Sequence, residues 1–125
     1  MGIQSTVLVA EDDPVFRQVI AFSLRAAGFE CKTVSNGSEA MTVIDQGGID
    51  FLVTDHQMPI CSGIELIERI RNRPDLKGLP IVLCTAKAYE LDAESLVESC
   101  QVFAVLKKPF SPKELVDIIS VALPY

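Results

Sequence analysis

Charged and hydroxyl side chains fall at four telling points in this 125-residue chain. Glu11-Asp12-Asp13 follows the apolar run Val7-Leu8-Val9-Ala10, and Asp55 ends a run that begins Phe51-Leu52-Val53. Thr85 follows Ile81-Val82-Leu83-Cys84, and Lys107-Lys108-Pro109 follows Val102-Phe103-Ala104-Val105-Leu106. Carboxylates held close together repel, so such a cluster is costly unless a cation sits among them. Oxygen donors with no imidazole or thiolate favour Mg²⁺, which keeps waters and recruits phosphate oxygens. A lysine opposite supplies a point charge for an anion, and a threonine supplies a hydroxyl donor. Together these groups describe a site for phosphoryl transfer, in which an aspartate can itself be the covalent acceptor. Each signal is weak alone. Acids after a strand are often helix caps, and Asp13, just before Pro14, is read as one. The placement of all four groups at the ends of apolar runs gives the site its weight.

The elements that must position them follow from hydrophobic pattern. The four runs are continuous rather than alternating, as expected of strands buried on both faces of a parallel sheet. Glu30 to Val34 alternates and reads as an edge strand. Helical spacing appears at Phe16, Val19, Ile20 and Leu24, stopped by Gly28. Asn36 and Glu39 form an N-x-x-E capping pattern before Ala40, Val43 and Ile44, and Gly47-Gly48 ends that helix. Ser62 and Glu65 repeat the start signal before Ile67 and Ile70, with Pro74 beyond the end. A weaker helix is expected over Tyr89 to Ser99. Ser111-Pro112-Lys113-Glu114 is the strongest cap, leading into Leu115, Ile118, Ile119 and Ala122. The order is β-α five times with no repeat or linker, which predicts an α/β fold, a doubly wound (βα)5 parallel sheet. In such sheets ligands bind beyond the carboxyl ends of the strands, where the charged groups lie.

Composition narrows the function further. At 13.6 kDa the chain fits one domain, spanning residues 1–125. Its formal net charge is −6 with no basic block, which argues against direct nucleic-acid or anionic-membrane binding. No apolar run approaches the ~20 residues that span a bilayer. MGIQST lacks the basic and long apolar segments of a signal peptide, so a cytoplasmic location is expected. Cys31, Cys61, Cys84 and Cys100 are widely spaced and read as free thiols in a reducing compartment.

The stretches VLVAEDDPVFR, FLVTDHQMPICSG, IVLCTA and KKPFSPKEL resemble the receiver domain of two-component response regulators, of the chemotaxis-regulator-like kind. The resemblance covers essentially the whole chain. It implies a flavodoxin-like fold with strand order 2-1-3-4-5. It implies that Glu11 and Asp12 are the acidic pair, Asp12 being the direct Mg²⁺ ligand. Asp55 would be the phosphoacceptor, and the backbone carbonyl of Gln57 would complete the protein's share of the metal site. Thr85 would supply the hydroxyl that meets a phosphoryl oxygen, and Lys108 would pair with another. The Lys108-Pro109 bond is expected to be cis. Met58-Pro59 and Gly63 match the loop after the phosphoacceptor. The implied partners are a sensor histidine kinase or histidine phosphotransfer protein and a downstream effector or output domain. Such a module catalyses only its own phosphorylation and dephosphorylation and has no separate turnover substrate.

Several residues depart from the family pattern. Val105 stands where many members carry Tyr or Phe, which puts the usual coupling between threonine and aromatic in doubt. Ser62 replaces a common Asp and is read as an equivalent N-cap. Ser99-Cys100-Gln101 lacks the frequent Ala-Gly-Ala turn. His56 is expected near the site mouth or in local packing, and Gln57 and Lys87 are placed to control water access. The chain ends at Tyr125, directly after the last predicted helix, which suggests a stand-alone regulator or a receiver cut from a larger protein. Two alternatives stay open: a degenerate receiver acting as a phosphorylation-independent protein-binding module, and a Mg²⁺-dependent phosphohydrolase with an aspartyl nucleophile.

Overall fold

The computed structural model describes residues 4–86, 98–99 and 101–123. In chain order the elements are β1 (Thr6–Ala10), α1 (Pro14–Ala26), β2 (Glu30–Val34), α2 (Gly37–Asp45), β3 (Phe51–Asp55), α3 (Gly63–Arg71), a 3-10 turn (Pro74–Leu76), β4 (Ile81–Thr85), β5 (Ala104–Lys107) and α4 (Pro112–Ala122). All but Glu98 and Ser99 of the expected helix from Tyr89 to Ser99 lie outside the described residues, as do Lys87 and Cys100.

The strands form one parallel sheet in the order β2-β1-β3-β4-β5. Every residue of β1, β3 and β4 is buried, so no polar alternation is needed there. The period-two pleat sorts their side chains into two cores. Val7, Val9, Phe51, Val53 and Val82 pack with Ile20 and Leu24 of α1 and with Leu115 and Ile119 of α4. Leu8, Leu52, Ile81 and Leu83 pack on the other face with Ile44 of α2 and with Leu66, Ile67 and Ile70 of α3. The sheet is therefore doubly wound. β2 is at one edge and buries only Cys31 fully, which explains its mixed pattern. Cys31, Cys61 and Cys84 are free and buried. No helix among the described residues is long and apolar enough to cross a membrane.

Local signals start and stop the helices largely as read. The Asp13 carboxylate accepts from the amides of Val15 and Phe16, and Gly28 turns the chain after α1 at φ 99°. Ser62 and Glu65 make a complete reciprocal capping box. The box on α2 is shifted: Asn36 accepts from the Glu39 amide, but the Glu39 carboxylate takes the amide and hydroxyl of Ser35, both at 2.9 Å. Ser35 offers two donors where Asn36 would offer one. The 3-10 turn was not legible locally. Arg71 fixes that stretch by donating to the carbonyls of Leu76, Lys77, Leu79 and Gln101.

Ile60 carries the conformational cost of the loop between β3 and α3. Its φ is 72°, and its side chain is 80% exposed. Left-handed backbone costs a non-glycine residue roughly 1–2 kcal/mol, and a β-branched one is a true outlier there. Little burial offsets that cost. Glycine would relieve the strain but add freedom to the unfolded chain. Ile60→Gly is therefore expected to raise stability by about 1 kcal/mol, seen as a higher urea midpoint at unchanged slope. A lower midpoint would show that the Ile60 side chain holds the loop.

Candidate functional site

Parallel strands all end at the same edge, and here that edge collects the acids and the lysine. Glu11 directly follows β1, is 2% exposed, and extends the ladder by donating its amide to Val34 O. Its carboxylate accepts from the Asp13 amide at 3.1 Å and from Lys108 Nζ at 2.9 Å. Arg17 holds the same turn from α1, donating to the Glu11 carbonyl at 2.8 Å. Asp55 is the last residue of β3 and is also buried. Lys108 Nζ lies 3.1 Å from its Oδ1. Asp12 is exposed at the rim, and one carboxylate oxygen each of Glu11, Asp12 and Asp55 fall within 4.8 Å of one another.

Backbone contacts fix the positions of these groups. Asp55 pairs with Cys84, and the His56 amide continues the ladder to Cys84 O at 2.8 Å. Thr85, the next residue, ends β4 fully buried, and its carbonyl accepts from the Lys108 amide at 2.9 Å. The Lys108-Pro109 peptide is cis. Gly63 opens α3 by donating to His56 O, and a Cβ there would stand 2.3 Å from the Asp55 carbonyl. Only glycine lets the helix start this close to β3. Lys108 also faces an aromatic ring, its Nζ lying 5.2 Å from the Phe16 centroid. Beside it opens an apolar cleft of about 480 Å³, floored by Val15, Phe16, Val19, Pro109 and Phe110.

Of the residues singled out from sequence, the structure brings together Glu11, Asp12, Asp55 and Lys108. Asp13 serves as the α1 cap. Gln57 is exposed in the loop just after β3. His56 is half-buried, and its Nδ1 is buried without a hydrogen-bond partner. Val105 pairs with Leu83 across β4–β5 and packs against the second core. Sequence reading treated Phe16 only as a core residue and gave Arg17 no part. The ring of one and the guanidinium of the other meet the site only through the fold.

The electrostatics follow from counting charges. Burial pushes the Glu11 carboxyl up, and Asp55 adds to the shift, although Lys108 and the Asp13 amide oppose it. Burial likewise raises Asp55, with Asp12 adding to it against the pull of Lys108. Burial alone would lower the Lys108 ammonium, but its bonds to Glu11 and Asp55 prevail and it is raised. One ammonium is thus shared by two buried carboxylates, and a third lies at the rim. A hard cation fits this donor set: the ligands are oxygens only, and the excess charge is negative.

The description "response regulator receiver domain" fits residues 7–120 as a family model. The chain belongs to that family. It is therefore a receiver of two-component signalling, a signalling module. Over 123 residues it is 33% identical to the phosphate regulon transcriptional regulatory protein PhoB of Pseudomonas aeruginosa, covering 97% of this chain and 52% of that protein. It is 33% identical to the chemotaxis protein CheY-3 of Vibrio cholerae over 87% of this chain and 84% of that one. Among solved structures, the receiver domain of sensor histidine kinase PA1611 from Pseudomonas aeruginosa superposes with a TM-score of 0.83 at 26% identity, over 98% of this receiver and all of that chain. That domain was solved with a magnesium ion coordinated in its active-site cleft. The chain spans about half the length of PhoB.

The raised Asp55 carboxyl makes a stability prediction. A carboxyl whose folded pKa exceeds its ordinary 3.8 binds more protons folded than unfolded. Its charge penalises the fold above the folded pKa, and the penalty fades as pH falls below the unfolded value. Asp55→Asn should therefore be more stable than wild type in metal-free buffer at neutral pH, by about 1 kcal/mol for a partly screened site. The gap should close as pH approaches 3.8 and below. Urea unfolding across that range checks it, and a less stable Asp55→Asn at neutral pH would mean that Lys108 overcompensates the buried carboxylate.

Proposed function

We propose that Asp55 is the phosphoacceptor of this receiver, taking a phosphoryl group from a phosphohistidine on a sensor histidine kinase or histidine phosphotransfer protein. The observation that carries this reading is the clustering of Glu11, Asp12 and Asp55 within 4.8 Å, with Lys108 bonded to two of them. Mg²⁺ would be held by Glu11, Asp12, Asp55 and the Gln57 carbonyl, and would supply charge neutralisation for an incoming phosphoryl group. The magnesium in the PA1611 receiver supports the same ion here.

In the step, an Asp55 carboxylate oxygen attacks phosphorus in line as the phosphorus–nitrogen bond of the donor breaks. The imidazole nitrogen leaves with the electron pair and is protonated. Lys108 sits where it can pair with a phosphoryl oxygen, and Thr85, at the end of the neighbouring strand, donates its hydroxyl to another. The buried edge keeps bulk water from the acyl phosphate, with Gln57 at its mouth. Exposed apolar side chains flank that edge: Val15 in the first turn of α1 and Ile60 in the β3–α3 loop are both more than 70% exposed. They suit a protein phosphodonor rather than a free small molecule. Signalling then passes through Thr85 and β5 to an effector or output domain. Val105 gives this receiver no aromatic at that position, so its output face responds less than in aromatic-bearing relatives. With its acidic surface, the domain itself makes no direct nucleic-acid contact in this reading.

A small phosphodonor with Mg²⁺ should add one phosphoryl group, visible by intact-mass spectrometry and abolished by Asp55→Asn or chelation. Lys108→Ala should remain folded yet lose roughly a hundredfold in phosphorylation rate, the order for removing one oxyanion partner. Labelling that survives Asp55→Asn would sink the assignment.

A further inference from the structure

Among the described residues, the Lys108 ammonium meets two anions and one aromatic ring. Glu11 Oε1 stands at 2.9 Å, Asp55 Oδ1 at 3.1 Å and the centre of the Phe16 ring at 5.2 Å. We propose that Phe16 is a positioning residue for Lys108: its ring keeps the ammonium at the phosphoacceptor when the carboxylates turn to a metal ion. This inference rests on the phosphoacceptor reading above.

The argument begins with competition. A divalent cation seeks the same oxygens that hold Lys108, and it repels the ammonium as well. The carboxylates' grip therefore weakens at the moment when Lys108 must meet a phosphoryl oxygen. Phe16 is unaffected by that exchange. It is neutral, ligates nothing, and presents the negative face of its quadrupole to a cation within the ~6 Å reach of such contacts. The ring is itself braced. It meets Phe110 edge to face, with centroids 5.4 Å apart at 66°, and Phe110 lies two residues beyond Lys108. Its own backbone sits in the first turn of α1, where the Asp13 carboxylate caps it. Lys108 also lines the apolar cleft, and its side chain is only 22% exposed, so part of the water around the ammonium is displaced and a cation–ring contact is stronger.

An aliphatic side chain could pack against Phe110 equally well, so the test must separate ring electrons from ring size. Position 16 is filled in turn by phenylalanine, 4-fluoro-, 3,5-difluoro- and 3,4,5-trifluorophenylalanine, with Phe16→Leu as the fully aliphatic end and Phe16→Tyr as the conservative variant. The probe is beryllium fluoride with Mg²⁺, which mimics a phosphoryl group on a carboxylate. Its affinity is measured by calorimetry, beside urea midpoints and, in metal-free protein, the ring-current shift of the Lys108 Hε protons. Affinity should fall stepwise with each added fluorine, by about three- to tenfold across the series. Tyr should restore it, urea midpoints across the fluorinated set should stay level, and the upfield Hε shift should vanish only in Phe16→Leu. Affinity that is flat across the fluorinated set, or that follows the urea midpoints, overturns the role given to the ring. Wild-type protein that binds no beryllium fluoride while keeping the Hε shift overturns the phosphoacceptor reading, and this inference with it.

Discussion

Two buried carboxylates share one ammonium at the edge of the sheet, and that imbalance organises the site. Glu11 and Asp55 are nearly stripped of water, and Lys108 bonds to both. Burial raises both acids beyond what one shared ammonium can offset, while the bonds to both of them raise the lysine as well. Asp12 adds a further negative charge at the rim. The arrangement is poised rather than satisfied: in the proposed function a hard cation would complete it, and a phosphoryl group on Asp55 would give Lys108 a new anion to meet.

Backbone hydrogen bonds hold the strand ends in place around this imbalance. Ladder bonds run to the last residue of β3 and beyond, through His56 N to Cys84 O and Lys108 N to Thr85 O. Gly63 lets α3 begin against the Asp55 carbonyl. The three successive acids after β1 are sorted by hydrogen bonding into separate tasks. Glu11 turns inward to Lys108 and the Asp13 amide, Asp12 stays at the rim, and Asp13 spends its carboxylate on the α1 amides. One residue of slippage in that turn would exchange these tasks.

Much of this was legible in the sequence, and the exceptions share a cause. Continuous apolar runs marked β1, β3 and β4, because strands covered on both faces need no alternation. The fourth run, expected to be buried on both faces, instead ends in the half-buried edge strand β5, which begins only at Ala104. Ser62-x-x-Glu65 marked its helix start, because a capping box is closed within four residues. The acids and Lys108 could be placed at one edge once the strands were known to be parallel. What escaped reading depends on partners distant in the chain. Arg71 ties the end of the 3-10 turn, through the carbonyls of Leu76 and Lys77, to Gln101. Gly63 is required by the Asp55 carbonyl, and the Phe16 ring acquires its meaning from Lys108. Asn36 and Glu39 show the local limit, since Ser35 outbid Asn36 for the Glu39 carboxylate by one extra donor. Ile60 gives no sign in sequence of a left-handed backbone, because β-branched residues ordinarily avoid it.

The shared-charge site is tested most directly by titrating the Asp55 carboxyl carbon by NMR in metal-free protein and again with saturating Mg²⁺. Without metal, Asp55 should titrate above its ordinary value of 3.8, with a second inflection from Glu11 in the same curve. With Mg²⁺ the midpoint should fall well below that value, since a bound divalent cation favours the ionised form. An Asp55 carboxyl that titrates as an isolated aspartate and ignores Mg²⁺ would contradict a common site for these carboxylates.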